Sequence, residues 1–339
     1  MQTLRLFNER ISLRYSTRML LTTTALVGLL FCLFIASLLI GEYSLSIGTI
    51  INTLFQQYGD QQANLIMWEF RLPRSLVAMC SGALFAISGA LLQNLTRNPL
   101  ADPSLIGISH GAALAVVILT LIFPEYIDQW REVFAFLGAI SVAVLLQCLR
   151  GKGQALKFIL LGIGVVAFIS AIISTLITYG EFNAAMSALT WLSGSIHRAN
   201  WADVSLLLST TLLISAGVLY QGRTMAALHL GQQVAIGLGV AVHKASLLQL
   251  FLSVMAAAIA TAVVGPIGFV GLLAPHLARK ILNQGVTNHF ILTALCGAIL
   301  VLAADMLGSH LFAPTQLAAG LMTSLIGAPL FAYLLIKRS

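Results

Sequence analysis

Apolar residues run in long stretches at about 19–41, 72–93, 104–122, 132–149, 157–178, 202–221, 245–264, 268–282, 290–307 and 317–336, divided by short charged, proline-bearing or polar clusters. A helix that crosses the hydrocarbon core needs about 20 apolar residues, and most of these stretches have that length. None alternates with period two, and lipid offers the backbone no hydrogen-bond partner, so helices are expected and a barrel is not. The pattern predicts an all-α polytopic membrane protein with about ten transmembrane helices. The eighth stretch is short and opens Gly265-Pro266-Ile267-Gly268, which predicts a tilted, broken or protein-buried helix. Residues 1–18 read as a cytoplasmic amino-terminal segment and 19–339 as one transmembrane domain; the longest connection, about 42–71, is too short for a soluble domain. No low-complexity tract and no convincing repeat is visible.

Composition removes the competing classes. The chain has 339 residues, 59% apolar and 9% charged, where a soluble domain carries about 25% charged residues. A soluble enzyme is therefore excluded. The net charge is +7, but the basic residues stand singly between apolar runs, so they read as membrane topology and not as a nucleic-acid patch. With ten spans and the amino end inside, 14 of the 18 Lys and Arg residues fall on the cytoplasmic side, and Arg71, Arg74, Arg131 and Arg198 fall outside. That asymmetry predicts both termini in the cytoplasm, and most acidic residues outside. The apolar run 19–40 is too long for a signal-peptide core of about 7–15 residues and should remain as the first span.

Candidate chemistry is sparse. The chain has no G-x-x-x-x-G-K-[ST], so it does not itself cradle nucleotide phosphates. Gly162-Ile163-Gly164-Val165-Val166-Ala167 fits a loose dinucleotide pattern but lies inside an apolar run, where small residues serve close helix packing. Cys32, Cys80, Cys148 and Cys296 lie far apart within apolar stretches and read as small core hydrophobes. His276 is a lone histidine, no metal site is expected, and no cofactor is implied. Asp305, near the outer end of the ninth span, is the one ionisable residue that qualifies as lying within a span; it reads as a helix-end or interhelix hydrogen-bonding group ahead of a proton-coupling carboxylate. The remaining readings are a permease subunit energised by a partner, an ion-coupled carrier resting on Asp305, and an intramembrane enzyme resting on His276 and Asp305.

Three polar, Gly/Pro-punctuated segments stand out. Arg71-Leu72-Pro73-Arg74 opens the second span, and Gln93 to Pro103 closes it, with two prolines that prevent a regular helix and leave Asn98 and its neighbours free to line a constriction. The inner segment, about 222–244, keeps Leu230, Val234, Ala235 and Leu238 on one apolar face bounded by Gly231 and Gly239. An apolar face outside the membrane calls for a partner or for the lipid surface. The third is Gly265 to Arg279, whose glycines allow close helix approach.

Together these segments resemble the permease subunits of type II ABC importers, the iron-chelate and vitamin B12 uptake family. The resemblance is carried by R-L-P-R at 71–74, S-G-A-L-L-Q at 88–93, R-N-P-L-A-D-P at 97–103, W-L-S-G-S at 191–195, L-G-Q-Q-V-A-I-G-L-G at 230–239, G-P-I-G-F-V-G-L-L-A-P-H-L-A-R at 265–279, A-D at 304–305 and I-G-A-P-L-F at 326–331. It implies a multi-pass protein of the bacterial inner membrane, a non-catalytic subunit of an importer that moves a ferric siderophore from periplasm to cytoplasm, with haem or cobalamin as alternative cargoes. The implied partners are a cytoplasmic ABC ATPase dimer, a periplasmic substrate-binding protein, and a second permease subunit that is a paralogue or an identical copy. By the same resemblance, Leu230, Gly231, Val234, Ala235, Leu238 and Gly239 would dock in the ATPase. Asn98 and Leu100 would form the inner gate, and Arg71 and Arg74 would meet carboxylates of the binding protein. The fifth and tenth spans would line the pathway. The chain departs from the family pattern at Ser309, where an arginine is common, and at Gln316-Leu317-Ala318-Ala319-Gly320, where a Glu-Leu-Pro-x-Gly is common. Gln before Leu is similar to catecholate-siderophore permeases that act as heterodimers.

Overall fold

The computed structural model describes residues 2–6, 11–15, 17–40, 47–54, 61–104, 106–150, 155–282, 285–311 and 315–336. Two amino-terminal strands, β1 (Gln2–Leu6) and β2 (Ile11–Tyr15), form an antiparallel pair. The helices that follow are α1 (Thr17–Leu39), α2 (Ile47–Leu54), α3 (Gln61–Leu65), α4 (Leu72–Thr96), α5 (Ile108–Ile122), α6 (Ile127–Arg150) and α7 (Ala155–Tyr179). Then come α8 (Phe182–Leu192), α9 (Trp201–His229), α10 (Gln232–Gly237), α11 (Val242–Val264), α12 (Val270–Ile281), α13 (Val286–His310) and α14 (Ala319–Ile336).

Each of the ten apolar stretches holds one helix. Seven helical segments are long and apolar enough to span a membrane, with α5 and α14 as shorter apolar helices. The remaining stretch is α12, which has 12 residues, contains Pro275 and is largely buried by its neighbours. Burial by protein is what allows a short, proline-bearing helix at membrane depth. The helices beyond the ten lie in connections. In 42–71, expected as a plain loop, α2 and α3 form, and a wide helical turn over Ile66–Arg71 carries α3 directly into α4. Between α7 and α9, α8 starts at Glu181, whose carboxylate accepts the amides of Asn183 (3.1 Å) and Ala184 (3.0 Å). The Ala184 bond and then the Asn183 bond hold that carboxyl below its ordinary range. α9 is capped by Asn200, whose side chain accepts from Ala202 and Asp203 while Asp203 returns a bond to the Asn200 amide, a reciprocal capping box.

α4 is the hub. It packs against α13, α11, α12 and α9, and most of its residues are buried, whereas α7 and α1 are largely exposed. Lipid gives no hydrophobic drive for helices to associate, so close approach through small residues and interhelix hydrogen bonds must hold such a hub. A Cβ built on Gly89 would lie 1.9 Å from the Gly271 carbonyl oxygen on α12, and one on Gly82 would lie 2.3 Å from the Gly297 oxygen on α13. On the third side, Ser88 and Ser253 of α11 bond reciprocally, each hydroxyl reaching the other's carbonyl at 2.7 and 2.9 Å. Gly162 meets Ile106 as a packing glycine, whereas Gly164 faces open space, so only half of that sequence pair serves packing. Of the four cysteines, Cys296 alone is buried; Cys32 and Cys148 lie on exposed helix faces and are not core residues.

Candidate functional site

The structure sorts the polar interruptions into two ends. At one end, Arg71 and Arg74 at the start of α4, His197 of the α8–α9 connection, Asp305 and His310 of α13 and Gln316 before α14 line a single cleft of about 390 Å³. Arg74 crosses to α13: its Nε donates to Asp305 Oδ2 at 2.7 Å and its Nη2 to Asp305 Oδ1 at 2.9 Å, while Nη1 donates to Gln316 Oε1 at 3.2 Å. This bidentate, half-buried pair ties α4 to α13, which is the interhelix role expected of Asp305. Arg71 turns the other way and donates to the carbonyls of Leu38 and Leu39, the last residues of α1, satisfying groups a helix end leaves open. Close by, Gly194 of the W-L-S-G-S segment accepts the Gly320 amide at 2.8 Å. A Cβ on Gly194 would lie 2.4 Å from the Pro266 oxygen. Three motifs far apart in sequence, at 191–195, 265–268 and 316–320, thus meet at one point.

At the opposite end, α4 stops where Arg97 adopts a left-handed conformation (φ 54°). The Asn98 side chain then accepts the Leu100 amide at 3.0 Å and its carbonyl accepts the Ala101 amide at 3.2 Å, a tight turn enforced by the following prolines. Leu100 stands 42% exposed at the tip of that turn. Asp102 behind it is buried; its Oδ1 accepts the amide (2.7 Å) and the hydroxyl of Ser104. Oδ2 has no partner among the described residues and lies against Gly271. Burial pushes this carboxyl above its ordinary range, and the Ser104 bonds oppose that only in part.

The last two turns of α4 reach three neighbours. Gln93 donates to the Gly271 carbonyl at 3.2 Å and accepts from Arg279 of α12. Asn94 donates to Gln249 of α11 at 3.1 Å, and Arg97 to the Leu228 carbonyl at the end of α9 at 3.2 Å. These groups line a second cavity of about 330 Å³ with His229, Gln232 and Ser246. The sequence marked 93–103 as an interruption; that Gln93, Asn94 and Arg97 fan out to three helices was not readable, because no spacing along one segment encodes the identity of its neighbours.

The segment from Leu230 to Gly239 begins two residues beyond Leu228. Gly231 (φ 117°) and Gly239 (φ 79°) bracket the six-residue α10, and a Cβ at either would meet nothing within 4 Å. Both glycines are thus required by backbone conformation and not by packing. Leu230 (68%), Val234 (48%) and Leu238 (63%) are exposed together. Ala235, expected on the same face, is fully buried, and Ile236, not expected there, is 63% exposed. Leu230, Val234 and Leu238 keep the stripe at four-residue spacing, whereas Ala235 stands about 100° around the helix from Val234 and is turned inward.

Asp305 and His276 do not form a joint site. Asp305 lines the first cleft and is bound to Arg74, while Arg279, one turn beyond His276 on α12, lines the opposite cavity. Among the described residues no group of three His, Cys, Asp or Glu side chains is arranged to hold a metal ion.

A solved structure described as an inward-facing metal-chelate type ABC transporter superposes with a TM-score of 0.83 and 31% identity over 93% of this chain and 99% of that one. Relatives include two Fe(3+)-citrate import system permeases of Bacillus subtilis. YfmE is 37% identical over 95% of this chain and 96% of its own length, and YfmD is 33% identical over 96% of each. The hemin transport system permease HmuU of Yersinia pestis is 36% identical over 92% of this chain and 94% of its own length. The model of the FecCD transport family matches residues 29–337, and with ten helices on the ten apolar stretches the chain belongs to that family as the non-catalytic, multi-pass permease subunit of an ABC transporter.

Proposed function

We propose that this permease imports a ferric siderophore of the catecholate class from the periplasm of a bacterium across its inner membrane, in company with a paralogous second permease. ATP hydrolysis is supplied by an ABC ATPase dimer that seats Leu230, Gly231, Val234, Leu238 and Gly239, with Ile236 added to that contact and Ala235 serving as its internal anchor. A periplasmic substrate-binding protein delivers the cargo at the Arg71/Arg74 cleft, and Asn98 with Leu100 closes the inner exit. The observation that carries this reading is the short chain of contacts from the end of α9 through Arg97 to the Asn98–Leu100 turn. Arg97 precedes Asn98 and donates to the carbonyl of Leu228, two residues before Leu230, and this contact supports a link between the proposed coupling segment and the proposed gate.

Several features support the finer assignments. The Fe(3+)-citrate and hemin permeases among the relatives favour an iron chelate as cargo, with haem as the alternative through the hemin permease. Gln316 before Leu317, and Ser309 where an arginine is common, favour a catecholate permease working beside a non-identical partner. YfmD and YfmE share one import-system name within one organism, which is the pattern a paired arrangement produces. α7 is largely exposed and leaves a large apolar face for that second permease and the pathway between them. An ion-coupled carrier is disfavoured because Asp305 already has a guanidinium partner in a rim position.

The test is uptake of radioactive iron in cells lacking their own siderophore permeases. This chain is co-expressed with candidate partner ATPases, second permeases and binding proteins, and supplied with a ferric catecholate, ferric citrate, a ferric hydroxamate or haem. Accumulation of the ferric catecholate, strictly dependent on the ATPase, is expected. Haem or citrate uptake alone would overturn the catecholate assignment. Concentrative uptake by the chain reconstituted without any ATPase would overturn the mechanism.

A further inference from the structure

The cavity of about 330 Å³ lies at the end of the bundle that the charge asymmetry makes cytoplasmic, and two guanidiniums, Arg97 and Arg279, line it with His229, Gln232, Ser246 and Gln249. Its size falls at the lower end of the range that small ligands occupy, about 300–1,000 Å³. No carboxylate stands among its described lining residues. Between Asp203 and Asp305 the sequence has no Asp or Glu, yet it carries Arg223, Lys244, Arg279 and Lys280. Of the eleven acids, the ten-span topology leaves only Glu9 and Asp102 on the cytoplasmic side. Glu9 lies outside the described residues, and Asp102 is turned to Ser104 and Gly271, outside the lining. The chain thus gathers cations at this cavity and brings no counter-ion to it.

Two lining side chains also hold donors in reserve. A guanidinium carries several N–H donors, and the Leu228 carbonyl takes one of those on Arg97, at 3.2 Å. Arg97 keeps its place although its backbone is left-handed (φ 54°), where glycine or asparagine fits with less strain; strain at a charged residue points to a use for its side chain. Gln249 is 1% exposed; its Oε1 accepts from Asn94 at 3.1 Å, and its Nε2 has no partner among the described residues. A buried donor without an acceptor is costly, and an anion in the cavity would supply one. Gln93 holds the second guanidinium in position: it accepts from Arg279 while donating to the Gly271 carbonyl at 3.2 Å.

We propose that this cavity binds a phosphate group, carried by the headgroup of an anionic lipid or by a free phosphate anion, between Arg97 and Arg279 with the Gln249 amide as a further donor. A tetrahedral phosphate accepts on several sides at once, which suits donors arriving from α4, α11 and α12, whereas a planar carboxylate is matched by one guanidinium edge. The cavity lies where α4 and α9 end, and basic pockets between helices on the cytoplasmic side are where lipid phosphates collect. The bound group joins the residue before the Asn98–Leu100 turn to α12 through one shared ligand. Binding at this cavity requires neither the catecholate cargo nor the outer docking cleft.

The experiment uses the complete transporter, ATPase included, in nanodiscs of phosphatidylcholine alone or mixed with phosphatidylglycerol. Radiolabelled inorganic phosphate is titrated in the first, and phosphatidylglycerol retained by the protein is counted by native mass spectrometry in the second. Melting temperature is followed in both, because a ligand that binds only the folded state raises it. Elution profile checks that each variant folds. Wild type should bind at least one probe and melt higher with it. S246D adds a carboxylate to the lining and keeps both arginines, and R97Q removes one cation; each should weaken binding by about tenfold or more and lose the melting shift. S246N, and R223Q at a cation outside the lining, should bind within about threefold of wild type. Binding of inorganic phosphate assigns a free anion. Retention of phosphatidylglycerol that S246D abolishes, without phosphate binding, assigns a lipid headgroup. Wild type binding neither probe, or S246D and R97Q binding like wild type, would overturn the site. Binding that appears only after the ATPase is stripped away would give the cavity to the ATPase and overturn it too. Normal ATPase-dependent uptake by a wild type that binds neither probe would end this inference and leave the proposed function standing.

Discussion

Asp102 and Asp305 are both buried acids, 4% and 5% exposed, in opposite circumstances. Asp305 is enclosed by a guanidinium, whereas one oxygen of Asp102 has no partner among the described residues and its carboxyl is pushed upward by burial. A folded-state value above the unfolded one, about 3.9 for Asp, means that the native state binds the proton more tightly. The contribution of Asp102 to stability is therefore fully present below the unfolded value and is lost as pH rises toward the folded one. Asp102→Asn should melt at a higher temperature than wild type at neutral pH, with the gap closing on acidification; equal melting at every pH would refute this. The same scale governs Gly231 and Gly239. Gly231 lies at φ 117° and ψ 151°, a region essentially reserved for glycine, where another residue costs about 1–3 kcal/mol, and nothing packs at either glycine to resist a methyl group sterically. Gly231→Ala should reduce uptake and coupled ATP hydrolysis while leaving insertion and melting temperature nearly unchanged, a separation measurable on one purified sample.

Among the elements, α4 decides whether the molecule assembles. Its contact with α12 at Gly89 and Gly271 leaves no room for a methyl group, since the added carbon would fall 1.9 Å from a backbone oxygen. Overpacking a tight core costs about 1–3 kcal/mol even when neighbours yield, and two backbones in contact yield poorly. Gly89→Ala should therefore lower the recovered, monodisperse permease severely. Gly164→Ala on α7, with nothing within 4 Å, should be tolerated and can gain up to about 1 kcal/mol of helix propensity. Comparable yields from the two variants would show that the α4–α12 crossing does not have the assigned importance. α12 itself shows the limit of reading elements by hydropathy. Its 12 residues are too few to span by themselves, and they lie at membrane depth because α4, α13 and α14 cover them.

For the whole molecule, the loops divide into two groups that agree with the alternation of ten spans. Arg71, Arg74, His197, Asp305 and Gln316 gather at one end, and Arg97, Leu228, Gln232, Ser246 and Arg279 at the other. The fold supplies this sorting; the surplus of Lys and Arg in the second group of loops identifies it as cytoplasmic. With the four native cysteines replaced, His197→Cys should react with a membrane-impermeant maleimide from the periplasmic side. Gln232→Cys should react only after the inner membrane is opened. The reverse labelling would invert the topology and remove the basis for the outer docking cleft.

The number of helices, their approximate limits and the family were legible in the sequence because each rests on local information: runs of apolar residues, charge asymmetry, and motifs contained within single segments. Asp305 was recognisable as a bonding group because a carboxylate inside a span must find a partner. Which partner, and which edge of it, was set by two helices meeting 231 positions apart in the chain. Ala235 was placed on the wrong face because it stands about 100° from Val234 around α10, and which side of so short a helix turns inward is set by what lies beneath it. Convergence of the 191–195, 265–268 and 316–320 segments, and the fan of Gln93, Asn94 and Arg97, likewise belong to tertiary structure alone. In a chain where nearly every span is apolar on all sides, hydropathy says that a helix enters the membrane, and only close steric and hydrogen-bonded contact selects the neighbour it meets there.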